Sequence, residues 1–155
     1  MDWLEGLVVI HVLSALIGIG PTYLGHVLLR RNQSVQQFRT SFGYTKAMDL
    51  FPKIGGTIAV LSGVGLALTG RYGSFAQIWM LGSLVIYIFI QIIMAAAFSP
   101  NMKKLQNWLF DPSNLQASVF PAEQQQWVNR ASSWLYAASG LGIVLFIFMI
   151  LKPAA

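Results

Sequence analysis

The sequence predicts an all-α fold, an integral membrane four-helix bundle with short cytoplasmic and interfacial helices, and three observations carry that prediction. Of 155 residues, 55% are hydrophobic and only 10% charged, where an average soluble domain is about one-quarter charged. The apolar residues gather into four runs close to the roughly 20 residues a helix needs to cross the hydrocarbon core. The basic residues cluster on alternate connections between those runs.

The first run extends from Gly6 to Leu29 and is interrupted chemically only by His11 and His26. Ile54 to Gly70 is slightly short; it reaches back through Pro52 to about Leu50 if Lys53 snorkels toward the head groups. Ala76 to Phe98 contains no charge, and Ala131 to Leu151 completes the set. The expected organisation is a single domain over residues 1–155, with spans of about 5–30, 50–70, 76–98 and 131–151. A chain this short leaves no room for a second globular unit.

Lys and Arg in short loops mark the cytoplasmic side. Arg30, Arg31, Arg39, Lys46 and Lys53 flank the first connection, and Lys103, Lys104 and Arg130 the third; the other side holds Arg71 and Lys152. Both termini are therefore expected outside. The net charge of +5 reads as topology signal and contact with anionic lipid, so the bilayer is the expected partner and nucleic acid is not. The acidic start, Asp2 to Glu5, does not resemble a cleavable signal. Cysteine is absent, which removes disulfides, thiolate metal sites and cysteine nucleophiles.

The connections carry helix signals of their own. Ser34 to Gln37 fits a capping box, with Val35, Phe38 and Phe42 following at helical spacing. A helical arm is expected there, broken near Pro52, because proline frees the carbonyl of Met48. Met102, Leu105, Trp108 and Leu109 form one apolar face opposite Lys103, Lys104 and Asn107, which suggests a short helix lying in the interface. Asp111-Pro112 is expected to stop it, and Pro121 to begin a helix that runs into the fourth span.

Small residues recur at close-packing intervals: Ser14, Gly18, Thr22 and Gly25 in the first span, and Gly55, Ala59 and Gly63 in the second. Such stripes let helix backbones approach where no hydrophobic effect drives association. Part of the same surface could also accept a flat ligand, because His11 falls on that face.

Ionisable groups inside a span are costly and direct attention to function. His11 lies roughly 10 Å inside the outer boundary, and His26 roughly 22 Å further along and about 60° around the helix. Both are expected to face broadly one side. Each is a candidate metal ligand, since imidazole suits haem iron and copper. Otherwise His11 is a neutral ring bonded to a hydroxyl such as Ser14 or to a carbonyl of a neighbouring helix, and His26 an interfacial ring that is simply solvated. Two histidines so far apart on one helix cannot bind one iron. Haem would then need another ligand, an open position, or a homodimer presenting one histidine twice. Met80 and Met94 are possible thioether ligands, although methionine is commonly a space filler.

Ser83, Tyr87 and Gln91 fall at four-residue steps in the third span and make a polar wall, for interhelical hydrogen bonds or for a ligand. Asp49 and Lys53, four apart, are expected to pair in a polar cluster at the level of His26. No acidic residue lies mid-span, and no metalloprotease helix, nucleophile elbow or phosphate loop is present. Internal repeats of the transporter kind are also missing.

The first helix, with Ile10-His11-Val12-Leu13-Ser14, Gly18, Gly20 and the ending Leu28-Leu29-Arg30-Arg31, resembles that of a group of small bacterial four-span membrane proteins. That group is distantly related to the CopD copper-resistance proteins and the HemJ-type protoporphyrinogen oxidases. The resemblance covers about one-quarter of the chain in specific terms. It implies a four-helix bundle that binds haem b through the position matched by His11. The leading expectation is a bacterial plasma-membrane protein that binds haem or a related tetrapyrrole through His11 in a redox or haem-handling role, with Gly18 giving clearance for the macrocycle and His26 serving a second site or proton exchange near the cytoplasm. A copper-handling protein is a further possibility. HemJ-type proteins also carry a lysine in a later span, which the third and fourth spans here lack. An accessory subunit or small transporter, acting with a homodimer mate or a membrane partner, is the alternative.

Overall fold

The computed structural model describes residues 2–71 and 76–153. Six α-helices account for most of them: α1 Trp3–Leu28, α2 Val35–Met48, α3 Leu50–Leu68, α4 Ile78–Ile92, α5 Ser99–Leu109 and α6 Ala122–Leu151. Four continuous helical stretches are long and apolar enough to cross a membrane: α1, α2 with α3, α4 with α5, and α6. The all-α four-span architecture expected from the apolar runs is what forms.

Local chemistry accounts for the boundaries. At the start of α2, Ser34 Oγ accepts from the Gln37 amide at 3.3 Å, and Gln37 Oε1 accepts from the Ser34 amide at 3.2 Å. This is the reciprocal pairing expected of a capping box. The α2–α3 break falls at Asp49, three residues before Pro52, which thereby occupies the first turn of α3, where its missing donor costs least. Asp111 caps the 3₁₀ turn Pro112–Asn114, and α6 begins immediately after Pro121.

Between α4 and α5 the chain does not stop. Ile93–Phe98 forms a π-helical segment, so α5 continues the third span. The apolar face of α5 was expected to lie in the membrane interface. Instead Met102, Leu105 and Leu109 are buried with Val35, Phe38 and Phe42 of α2, Phe120, and Val128, Ala131 and Leu135 of α6. Covering that face by protein removes it from both lipid and water. The sequence pattern of an amphipathic helix does not reveal which apolar surface it will meet.

The molecule therefore has two differently packed halves. The end carrying the first and third connections, here the basic end, has a core like that of a soluble protein: Val35, Leu105 and Leu109 are fully buried. Arg39 ties it together by donating to the carbonyls of Leu109, Asn114 and Leu115. Gln33 Nε2 donates to the last carbonyls of α1, at 2.8 Å for Leu28. The opposite half buries Leu4, Leu66, Trp79 and Leu145 but leaves many apolar side chains outward, including Leu16, Leu61, Val85 and Ile150. That distribution suits hydrocarbon as the surrounding solvent.

The spans form a row in which α3 packs on α1, α1 meets α6, and α6 packs on α4. Gly18 and Gly55 bring α1 and α3 into backbone contact: a β-carbon on Gly55 would lie 2.7 Å from the Gly18 backbone. Between the ends of the row, Tyr87 reaches toward α3, its hydroxyl 3.4 Å from the β-carbon position of Gly56.

Candidate functional site

His11 is seated in the α1–α3 seam. Its Nδ1 lies 2.8 Å from the Ala59 carbonyl and 3.3 Å from Ser62 Oγ. A carbonyl only accepts, so Nδ1 carries the proton in that bond. Ser62 Oγ donates to Ile58, at 2.6 Å, which leaves its lone pairs toward the histidine. In the neutral ring Nε2 is then a lone pair, and the bond at Nδ1 sets the ring orientation. Space for the ring comes from Gly63, whose β-carbon position is 2.8 Å from His11 Cε1.

His26 belongs to a different seam. Its Nε2 lies 2.9 Å from Ser139 Oγ of α6, and its ring stacks on Tyr136 with centroids 4.2 Å apart. Nδ1 is buried without a hydrogen-bond partner. The two histidines were expected to share a broad face. In the structure a 60° step around α1, together with Pro21 inside that helix, sends His11 to α3 and His26 to α6. They form no common site.

The other candidate residues separate in the same way. Gly18 was expected to leave room for a macrocycle, but the backbone of Gly55 and Gly56 fills that space. Of the polar wall, Ser83 is buried and donates to its own helix at Trp79, Tyr87 is half-buried, and Gln91 is exposed with no hydrogen bond among the described residues. Asp49 and Lys53 do pair, on the exposed side of α3. His26 has Ser139 and Tyr136 as neighbours rather than this pair.

A cavity of about 70 Å³ opens between α1, α3, α6 and the π-helical segment. Pro21, Pro52, Met48, Met94, Phe98 and Asp49 are among its lining residues. Irregularities in three spans thus converge at one level near the basic end. Met94 faces this cavity, with Gly25, about four turns of α1 away from His11.

As a donor set, His11 fits a haem iron or a copper ion to the extent of one nitrogen. Its N–H is held by a carbonyl, the usual outer-shell arrangement behind a ligating imidazole. The α1–α3 seam itself has no slot for a tetrapyrrole, since it is closed at Gly18. Among the described residues no group of three His, Cys, Asp or Glu is placed to hold a metal ion. The partners of the histidines (Ala59, Ser62 and Gly63 for one, Ser139 and Tyr136 for the other) were not legible as such. The bond expected from His11 to a carbonyl of a neighbouring helix is found, at Ala59, and the small-residue stripe of the second span pointed toward that group.

No curated protein and no solved structure matches this chain. A family model described as "Predicted integral membrane protein (DUF2269)" matches residues 5–153, and four candidate spans agree with that description. The chain belongs to this family of integral membrane proteins.

Proposed function

We propose that this integral membrane protein binds haem b, or a related tetrapyrrole, through Nε2 of His11, in a redox or haem-handling role. One observation carries the reading: the Ala59 carbonyl holds His11 Nδ1–H, leaving a preoriented lone pair inside an apolar span. The resemblance of the first helix to that of a small four-span group, distantly related to the CopD and HemJ-type proteins, supports it. Haem would supply one-electron chemistry or be the cargo; the chain's own part is to fix the ring and shield it from water. With Gly18 closed against α3, the macrocycle belongs outside that seam.

The reading includes a topology. The basic end faces the cytoplasm of a bacterium, the protein sits in the plasma membrane, and both termini lie outside. The split of eight basic residues on one side and two on the other supports this orientation.

The visible spectrum of the protein, purified in mild detergent from haem-replete cells, is the test. A Soret band that disappears in His11→Ala is expected. No band, while a haem-loaded control protein processed in parallel keeps its own, defeats the reading. A second reading has its own support in the same bond, which joins α1 to α3 and can serve as a structural tie in an accessory subunit or small transporter. Under it the protein is colourless, and His11→Ala loses stability alone. Copper bound stoichiometrically by the wild type and lost in His11→Ala would instead assign a copper-handling role.

A further inference from the structure

The charge of the chain is concentrated at one end. Eight of its ten Lys and Arg residues and three of its five Asp and Glu lie at the basic end, so the whole net charge of +5 sits there. Asp49 is paired with Lys53, Asp111 caps its own turn, and Arg39 is engaged by three backbone carbonyls. Arg31 and Arg130 have no carboxylate partner among the described residues.

These two arginines flank Ser133 at the α1–α6 seam. Arg31 follows the end of α1 and donates from Nη2 to Ser133 Oγ of α6 at 2.9 Å. Its carbonyl accepts from Gln125 Nε2 at 3.3 Å, so backbone and side chain are both anchored on α6. The guanidinium has five N–H donors and uses one on the serine. Ser133 Oγ accepts that bond and keeps its own proton to donate. Arg130 stands three residues before Ser133, hence beside it on the helix surface, exposed and without a hydrogen bond among the described residues.

Their depth is that of lipid phosphate. Leu135 lies against Gly25 and shares a cavity with Asp49, whose exposed pair with Lys53 marks the edge of the hydrocarbon. Ser133 and Arg130 lie about 3 and 8 Å beyond Leu135 along the axis, across a head-group layer about 5–8 Å thick. On the hydrocarbon side, Ala137 and Gly140 are exposed at steps of four and three from Ser133, and nothing lies within 4 Å of the β-carbon position of Gly140. They leave a shallow trough beside Tyr136, whose ring stacks on His26.

We propose that this seam binds one anionic phospholipid of the leaflet at the basic end, with its phosphate between Arg31, Ser133 and Arg130 and an acyl chain along Ala137 and Gly140. Charge complementarity selects the occupant. Phosphate accepts forked N–H pairs from guanidinium, and basic pockets between spans seat anionic head groups. A head group with its own ammonium would face two unpaired cations, which disfavours zwitterionic lipid. His11 takes no part, so the site is independent of haem binding.

Native mass spectrometry of the protein in mild detergent, titrated with phosphatidylglycerol or with phosphatidylcholine of the same acyl chains, is the test. One phosphatidylglycerol is expected to bind roughly tenfold more tightly than phosphatidylcholine. Arg31→Gln with Arg130→Gln should weaken it roughly tenfold, and Ser133→Ala, which keeps both charges, roughly threefold. Lys46→Gln with Lys103→Gln removes the same charge from the same end and should change affinity less than about twofold. Equal losses in the two double variants overturn the proposal, because the attraction then belongs to the whole end. So does equal affinity for the two lipids, or full competition by inorganic phosphate, which would assign the site to a soluble anion. Arg31, Lys46, Lys103 and Arg130 are all exposed, so their replacement leaves the fold intact.

Discussion

His11 occupies the space that a side chain on Gly63 would fill: its Cε1 lies 2.8 Å from the β-carbon position of that glycine. Glycine at this point of α3 gives the seam room for an imidazole. Ala59, one turn earlier, supplies the carbonyl that the imidazole needs. Small residues thus serve two purposes along one interface, admitting a ring at Gly63 and a helix backbone at Gly18.

Substitutions in that seam should rank by what they strike. Gly55→Ala meets the backbone of Gly18 at 2.7 Å, and a helix backbone cannot turn aside. It should lower stability more than Gly63→Ala, where the histidine ring yields at an overpacking cost of about 1–3 kcal/mol. Gly20→Ala has nothing within 4 Å and should be neutral or slightly stabilising. Thermal unfolding of the three variants in one detergent checks the order, and an equal loss in all three would refute it.

The bond between His26 and Ser139 gives a non-additive prediction. Ser139→Ala strips the remaining partner from a ring whose Nδ1 already has none. It should cost about 0.6–1.7 kcal/mol, the range for interhelical bonds in membranes. His26→Phe keeps an aromatic ring against Tyr136 and removes both nitrogens. The double variant should therefore be more stable than Ser139→Ala alone, because an unmet polar group costs more than an apolar pair. A double-mutant cycle by chemical denaturation would show an additive loss if this is wrong.

Truncations should separate the two halves of the molecule. Leu105 is fully buried in the basic-end core, and Leu105→Ala should cost about 2–5 kcal/mol through the cavity it leaves. Leu61 is 68% exposed, and Leu61→Ala should stay within about 0.5 kcal/mol, as surface changes do. Comparable losses at both sites would show that the exposed face is covered by protein in the membrane.

Asp111 contributes a pH-dependent cap. Bonds from the Ser113 hydroxyl and then the Ser113 amide hold its carboxyl below the ordinary value of 3.8. A folded-state value depressed below the unfolded one gives stability that is complete above about pH 3.8 and is lost as pH falls through the lower folded value. The stability difference between wild type and Asp111→Ala should hold at neutral pH and narrow below 3.8. A difference that stays constant down to pH 2 would show that the carboxylate charge is not what the turn uses.

Much of this was readable in advance for simple reasons. A span is a local property: apolar length, as in Ala131 to Leu151, answers to the thickness of the hydrocarbon and needs no knowledge of neighbours. The Ser34 capping box and the Pro121 start of α6 are equally local, since the groups they satisfy lie within one turn. The direction of His26 was not. Its placement depends on which helix stands beside α1 at that height, and a helical wheel contains no such information.

By itself, then, the sequence determined the number of spans, the side on which basic residues gather and the helix starts in the connections, because each rests on composition or on neighbours in the chain. Tertiary structure alone decided that His11 meets Ala59 while His26 meets Ser139, that Gly18 is filled by α3, and that Leu105 is buried where a lipid-facing helix was expected. It also left Gln91 outward with no hydrogen bond among the described residues. The physical reason is common to all four: a side chain's environment in a membrane bundle is set by close approach between backbones distant in sequence, and that approach is a property of the packed helices together.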